Sequence, residues 1–469
     1  MLSSTSVHPA GRAGRFILLA SIVLPAIIIY TMWYGMNSDQ DDVPAILTQL
    51  IPAGHATCQQ ATLFECGSCL EPQYAVNQSD HSTWNYQYGR DDRDEGLSEA
   101  QCDSAFPGLF EDINQGVQYW SRKRETKITA KVLDQIDMKN GMTRAMIYEG
   151  DLYIIQTKST GEDHRRKIVA VLSSLHRALA GSSERGTLPN VEFVFSVEDK
   201  ATDVTSTRTE PLWVIARKAS EQSFFLLPDF GFWAWDNIIK GENNEIGPYD
   251  EVVRRALAFE EGINFVDKNP QLVWRGKLSF APKLRRGLLE AARGKEWSDV
   301  KEINWDVKQN FLALDEHCQY MFIAHVEGRS YSASLKYRQA CRSVIVAHKL
   351  QYILHYHYLL VAEGTHQNFV QVERDFSDLT PKIEELLANP IKAQEIADNS
   401  VRTFRERYLT PAAEACYWRA LIRGYGKVSG EANIWHGIGV GKKGKRGLRY
   451  ETFLLLASEE MLNFAATTE

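Results

Sequence analysis

Positive charge is scarce in this chain. Its 469 residues carry 53 Lys and Arg against 60 Asp and Glu, a formal net charge of −7. That deficit excludes a general nucleic-acid binder and confines any anion site to a local patch. Internal repeats are absent. A zinc set is missing as well: Cys66-Gly-Ser-Cys69 has no second CxxC and no His pair to complete it. The seven cysteines are odd in number, so at least one is free or pairs between chains. The last residues, Ala466 to Glu469, form no recognisable retrieval signal. Long apolar runs are missing too, with one exception.

That exception is Phe16 to Tyr34, FILLASIVLPAIIIYTMWY, 19 residues without a charge. About 20 apolar residues span a bilayer as a helix. Arg12 and Arg15 precede the run, and Asp39, Asp41 and Asp42 follow it. The polarity predicts a cytosolic tail (1–15), a signal-anchor (16–34) with Trp33 and Tyr34 at the interface, and a lumenal remainder. A cleaved signal peptide is the alternative. In an oxidising lumen Cys58, Cys66, Cys69, Cys102, Cys318, Cys341 and Cys416 read as structural disulfides. Asn77-Gln-Ser79 is a glycosylation sequon.

What is present is enough apolar residue, 44%, for two cored domains. The 11 Trp, 19 Tyr and 20 Phe suit sugar-binding faces and ordinary cores alike. Residues 35–119 read as a stem with a disulfide-bearing subdomain. Beyond that, strands and helices alternate in an α/β pattern. Strands are expected at Arg144–Tyr148 and Asp151–Ile155 around a Glu149-Gly150 turn, then at Val191–Ser196 and Pro211–Ala216. A helix is expected over Lys167–Ala180. A second α/β unit follows, with strands at Leu272–Trp274, Met321–Ala324, Val344–Ala347 and Asn368–Val372. Helices are expected at Lys283–Ala292, Ser334–Cys341, Leu379–Leu387 and Ile391–Tyr408. The pattern predicts two Rossmann-like halves, 120–254 and 255–425, and a tail, 426–469. That tail, in which Gly437-Ile-Gly-Val-Gly441 lacks a strand-to-helix setting, is expected to be a flexible basic segment.

The stretch Glu327 to Lys349, EGRSYSASLKYRQACRSVIVAHK, places small hydroxyls and cations just before an apolar strand. Upstream, Trp274-Arg-Gly-Lys277 supplies a fork-shaped Arg, a Gly that lets backbone approach, and a Lys. Lys283, Arg285 and Arg286 open the next helix. Together these could clamp a pyrophosphate. As separate basic surface patches they would do nothing of the kind.

These motifs resemble glycosyltransferase family 90, closest to its fungal capsule-associated members. The resemblance runs, in order, over roughly 120–425. It includes Leu227–Trp233 (LPDFGFW), Trp274–Lys277, Ala281–Arg286, Leu314–Phe322 (LDEHCQYMF), Glu327–Ser332, Cys341–Val346 and Gln367–Asp375. It implies a GT-B fold of two facing Rossmann-like domains, an acceptor domain followed by a UDP-sugar-binding one. It implies inverting transfer without a metal or other cofactor, with glucose or xylose as donor sugar and a glycan or glycoprotein as acceptor. On the family's donor motifs fall Arg275, Gly276, Lys277, Arg285, Arg286 and the loop Arg329, Ser330, Tyr331, Ser332, Ser334 and Lys336. The base is expected at Asp163, with Glu162 as the alternative; Asp199, Asp229 and Lys218 are expected to support the site or the acceptor. One departure stands out: fungal members commonly carry Gly-Arg where this chain has Ala333-Ser334. A hydroxyl supplies neither the charge nor the bidentate geometry of an arginine. Arg329, Lys336 and Arg338 are the available substitutes.

Two further patterns are read as structural. Asp92-Arg-Asp94 is a solvated charge run, not a metal-binding DxD at a strand end. His355 and His357 are packing or acceptor residues. The chain is expected to be a Golgi or ER membrane glycosyltransferase. The alternatives are a non-catalytic, sugar-binding relative and, more distantly, a CxxC oxidoreductase.

Overall fold

The computed structural model describes residues 84–123, 127–204, 209–235, 246–304, 307, 309–437 and 443–456. The expected membrane span, the Asn77 sequon and Cys58, Cys66 and Cys69 lie outside the described residues, as does most of the Gly437–Gly441 motif. Among the described residues no helix is long and apolar enough to cross a membrane.

The first lobe is built on a six-stranded sheet. Strands β1 (Met142–Tyr148) and β2 (Asp151–Lys158) form an antiparallel hairpin. Glu149 and Gly150, at φ 52° and 78°, make the turn, the double left-handed geometry that suits a two-residue hairpin. Then come β3 (Val191–Ser196), β4 (Leu212–Val214), β5 (Arg217–Lys218) and β6 (Phe225–Leu226). β3 pairs antiparallel with β1, while β3, β4 and β6 run parallel. The first half of the expected Rossmann-like pair carries the expected hairpin, so its sheet is mixed: a two-residue turn can join only antiparallel strands.

Three helices surround this sheet from early sequence: α1 (Glu99–Ala105), α2 (Glu111–Arg122) and α3 (Glu162–Ala180). The first two fall inside the stretch expected to be a stem. They are core instead: Leu97, Cys102, Phe106, Ile113 and Trp120 are buried in one cluster with the sheet.

The second lobe is a five-stranded, all-parallel sheet in the order β12-β10-β9-β7-β8. The strands are β7 (Asn269–Gly276), β8 (Ser298–Glu302), β9 (Tyr320–His325), β10 (Val344–His348) and β12 (Val370–Val372). The short β11 (Tyr352–Ile353) leaves this sheet and pairs with β5, joining the lobes. Helix α4 (Tyr249–Glu260) leads into the lobe. Helix α5 (Pro282–Ala292), following β7, buries Leu288 on one face of the sheet with Leu272 and Phe322. Helix α6 (Ser334–Arg338), following β9, buries Leu335 and Tyr337 on the other, with Val273 and Ile323. The chain therefore diverges between β7 and β9. Such a switch point opens a crevice beyond the carboxyl ends of the strands.

Helices α7 (Leu379–Ala388) and α8 (Pro390–Ser400) cover the α5 face. α8 runs on into a widened turn of helix, Val401–Tyr408. Helix α9 (Pro411–Val428) then returns to the first lobe and packs on α2 and α3. Gly424 lies inside α9, which runs past the expected start of the tail at 426. A Cβ there would come within 2.3 Å of the Ile113 side chain, so glycine permits the close α9–α2 approach. Cys102 of α1 is bonded to Cys416 of α9, and Cys318 to Cys341. Strands β13 (Trp435–Gly437) and β14 (Lys443–Lys445) pair, β15 (Leu448–Arg449) extends the first sheet beside β2, and α10 (Tyr450–Leu456) follows. The described part of the tail is thus ordered structure.

Candidate active site

The switch point brings together the loop after β7, the start of α5, the end of β9 and the loop that leads into α6. Arg275 does not point into this crevice. Its Nη2 donates to Asp299 at 2.7 Å and its Nη1 to the Asp299 carbonyl. Burial alone would raise the Asp299 pKa, but bonds from Lys301, Tyr320 and Arg275 hold it at about 2. Arg275 therefore ties β7 to β8. Gly276 sits under the Trp274 indole, where a Cβ would lie 2.5 Å from the ring. Lys277 contributes its carbonyl to the site, and Arg286 is exposed on the outer side of α5.

Arg285 turns inward. Its Nη1 donates to the Lys277 carbonyl at 2.5 Å and its Nε to the Glu327 carbonyl at 3.2 Å. The guanidinium lies over the Trp274 and Phe280 rings, 5.6 Å from each centroid. Burial pushes its pKa down to about 10. No carboxylate among the described residues pairs with it.

Arg338, at the end of α6, is 5% exposed. Its Nη1 donates to Nδ1 of His325 at 3.2 Å, and its Nε has no partner. Burial first, then the like charge of Arg285, push its pKa down to about 9. His325 is held neutral by burial and by the neighbouring Arg338.

Lys336, two residues earlier, is the opposite case. Its ammonium is fully buried and grips both Asp229 oxygens at 2.7 and 2.8 Å. Asp229 also accepts from the Gly231 amide at 2.7 Å. The pair joins α6 to the first lobe. Lys336 and Asp229, both expected to face ligands, are a structural bolt between the lobes.

The loop before α6 touches the first lobe as well. Ser330 Oγ donates to the Asp199 carbonyl at 2.5 Å. Tyr331 is buried, Ser332 and Ser334 share a hydroxyl–hydroxyl bond of 2.9 Å, and exposed Arg329 is 4.0 Å from Asp203. Asp199, just past the end of β3, therefore lies against the crevice. Asp199 is an exposed residue, yet protein packed around it crowds the carboxyl. That crowding raises its pKa, opposed by Lys167 and Arg329 and reinforced by Glu198 and Asp163.

Asp163 sits in the first turn of α3, 75% exposed, and pairs with Lys167 at 2.8 Å. It lines a 220 Å³ cleft with Phe230, Trp233 and Trp235. It is near Asp199 but does not touch the loop before α6. Lys218 lies in β5 over Tyr352 of β11, at the lobe junction. His355 and His357 are buried, and burial keeps both neutral. The DxD segment is solvated, as expected: Arg93 and Asp94 are exposed, and the Asp92 carbonyl accepts from the Ala412 amide at the start of α9.

One residue escaped the sequence reading. Glu327 is buried at the end of β9, paired with Arg374 at 2.8 Å and holding the amides of Gln351 and Tyr352. Its signal was an acidic residue beside Gly328 at a strand end, which gains meaning only once the strand order is known.

Arg285 and Arg338 thus stand near the switch point of a doubly wound sheet, the place where folds of this kind bind ligands. The chain belongs to glycosyl transferase family 90, whose family model matches residues 98–431. It is 24% identical to the O-glucosyltransferase rumi homolog of Aedes aegypti over 260 residues, 51% of this chain and 62% of that protein. It is 23% identical to Protein O-glucosyltransferase 1 of Rattus norvegicus, over 51% of this chain and 63% of that one. With O-glucosyltransferase LpsA of Dichelobacter nodosus it shares 25% identity, over 39% of this chain and 58% of that protein. The chain spans less than two thirds of the length of these relatives.

Proposed function

We propose that this chain is an inverting glycosyltransferase that moves a sugar from a UDP-sugar to a hydroxyl of a glycan or glycoprotein. The observation that carries this reading is the pair of inward-turned guanidiniums, Arg285 and Arg338, at the switch point, facing a loop that rests against Asp199. A diphosphate leaving group needs fixed positive charge as its glycosidic bond breaks. Guanidinium groups supply it here in place of a divalent cation. Glucose is the favoured donor sugar, because the relatives' names specify glucosyl transfer; xylose is the second candidate.

The base is reassigned from Asp163 to Asp199. Both aspartates are exposed, but Asp163 is held in an ion pair with Lys167 at 2.8 Å. Asp199 touches the loop before α6 through its backbone, and its raised pKa suits proton abstraction. In the reaction the Asp199 carboxylate takes the acceptor hydroxyl's proton. That oxygen attacks the anomeric carbon from the face opposite the diphosphate. The carbon–diphosphate bond breaks and UDP leaves with its electrons, inverting the centre. The Trp233–Trp235 cleft beside Asp163 would receive the acceptor. The reading includes a lumenal setting in the secretory pathway, with 16–34 as the anchor; the two described disulfides support the oxidising compartment.

The test is sugar transfer and UDP release by the purified full-length protein with UDP-glucose and UDP-xylose. Turnover of either supports the reading. Absence of both turnover and UDP binding would leave a sugar-binding relative, the reading that Ser334 motivates.

A further inference from the structure

We infer that Arg338 carries the donor-diphosphate charge that position 334 lacks, relocated by one helical turn. The inference rests on the proposed donor reading. Residues 334 and 338 are the two ends of α6, four positions apart, and therefore share one face of the helix. Of the three cations available to replace an arginine at 334, Lys336 is saturated by Asp229 and Arg329 is exposed beside Asp203. Arg338 is the one left.

Its surroundings are unusual for a structural arginine. It is buried, it makes a single hydrogen bond, and that bond goes to a neutral imidazole. Its Nε is unpaired, as are those of Arg405 and Arg419, but the charged group that acts on it is another arginine, Arg285. A buried charge without a counter-charge is costly. Other buried arginines of the described residues avoid this cost: Arg144, Arg217 and Arg405 each meet a carboxylate. Arg419 lacks one but donates to the carbonyls of Glu95, Ala178 and Leu97 and to two sulfurs. Arg338 and Arg285 lie at the one place where α5 and α6 part to opposite faces of the sheet. A dianionic ligand there would satisfy both at once, with the orphan Nε available for a second, fork-shaped contact. A bound dianion would offset the mutual repulsion of the two guanidiniums.

This gives Arg338 an effect that a packing role would not produce. In the full-length protein, Arg338→Leu should raise the melting temperature of the ligand-free form. It should also weaken UDP binding, measured by calorimetry, roughly 30-fold. The double variant Ser334→Arg/Arg338→Leu should recover binding to within a few-fold. Unchanged UDP affinity in Arg338→Leu overturns the inference, and so does lost affinity accompanied by a lowered melting temperature. If Arg338→Leu does not fold, Arg338→Gln is read the same way. Inorganic pyrophosphate, used as a second probe, separates this inference from the reading beneath it. Arg338-dependent pyrophosphate binding without UDP binding keeps the anion seat and removes the UDP-sugar reading. UDP binding that ignores Arg338 does the reverse.

Discussion

In the first lobe, Arg217 is buried against Asp112 at 2.5 Å, and the hydroxyl of Tyr358 and two carbonyls complete its shell. In the second lobe, Arg338 is just as deeply buried, with one imidazole nitrogen for company. On the proposed reading, the first arrangement is complete within the protein and the second is completed by the donor. The same contrast runs along α6 itself. Lys336 has found an acid in the other lobe, while Arg338, half a turn further on, has not. A fold can tolerate the unfinished kind only where something else completes it, so the difference separates what the structure needs from what a ligand needs.

The acid side of the contrast is the place for the largest effect. Asp199→Asn should lower turnover about 10³-fold while leaving UDP affinity within a factor of two. Asp163→Asn should cost less than tenfold, and equal losses would return the base to Asp163. Because the Asp199 pKa is raised, the acid limb of kcat/KM should lie above the ordinary aspartate range and vanish in Asp199→Asn. Breaking a finished pair comes next. Arg217→Leu strands Asp112 in the core and should destabilise the first lobe by about 3–5 kcal/mol, read as a loss of thermal stability. A neutral result there would remove the distinction between the two kinds of burial. Arg285→Leu, by contrast, should leave thermal stability intact or higher and weaken UDP binding about tenfold.

The smallest effect concerns a buried acid. Glu414 of α9 is enclosed by Ser174, by Arg177 at 3.2 Å and by Trp418, with Glu95 nearby. Burial raises its pKa from an ordinary 4.5 to about 7. The folded state then binds more protons than the unfolded one between those values. Its contribution to stability is complete below the unfolded pKa and is lost as pH rises through about 7. Glu414→Gln should flatten that dependence and raise Tm at pH 8 by roughly 2 °C. An unchanged pH profile would show that Arg177 already neutralises the carboxylate.

Much of this architecture is legible in the residues. The apolar run VEFVFS predicts β3 with the boundaries it has, and the Glu149-Gly150 turn predicts the hairpin. Helix α3 is expected from Lys167 but begins at Glu162, because Glu-Asp-His-Arg-Arg gives the helical pattern no apolar residue to register. Only the end of α9 reads as a tail, because Gly424 and Gly426 signal a break. Only the opposing Ile113 and Pro189 explain why small residues are needed there. The partner of Cys102 lies 314 residues away, beyond any local pattern. The donor loop is visible as a cluster of cations. Which of them are neutralised is not, since Asp229 and Asp203 approach from the other lobe.

The return of α9 to the first lobe has a consequence for biogenesis. The second lobe is in effect an insertion, and the sheet it interrupts cannot bury its α2 and α3 faces until residue 428 has been made. During synthesis the ribosome therefore exposes an incomplete first lobe for most of the chain's length, with Cys102 unpaired throughout. The inserted lobe, whose Cys318–Cys341 bond spans 23 residues, can close early. Maturation of this protein should thus depend on holding chaperones and on an oxidant acting late. Truncation just before α9 should send the nascent chain to degradation, even though all five strands of the second sheet have by then been made.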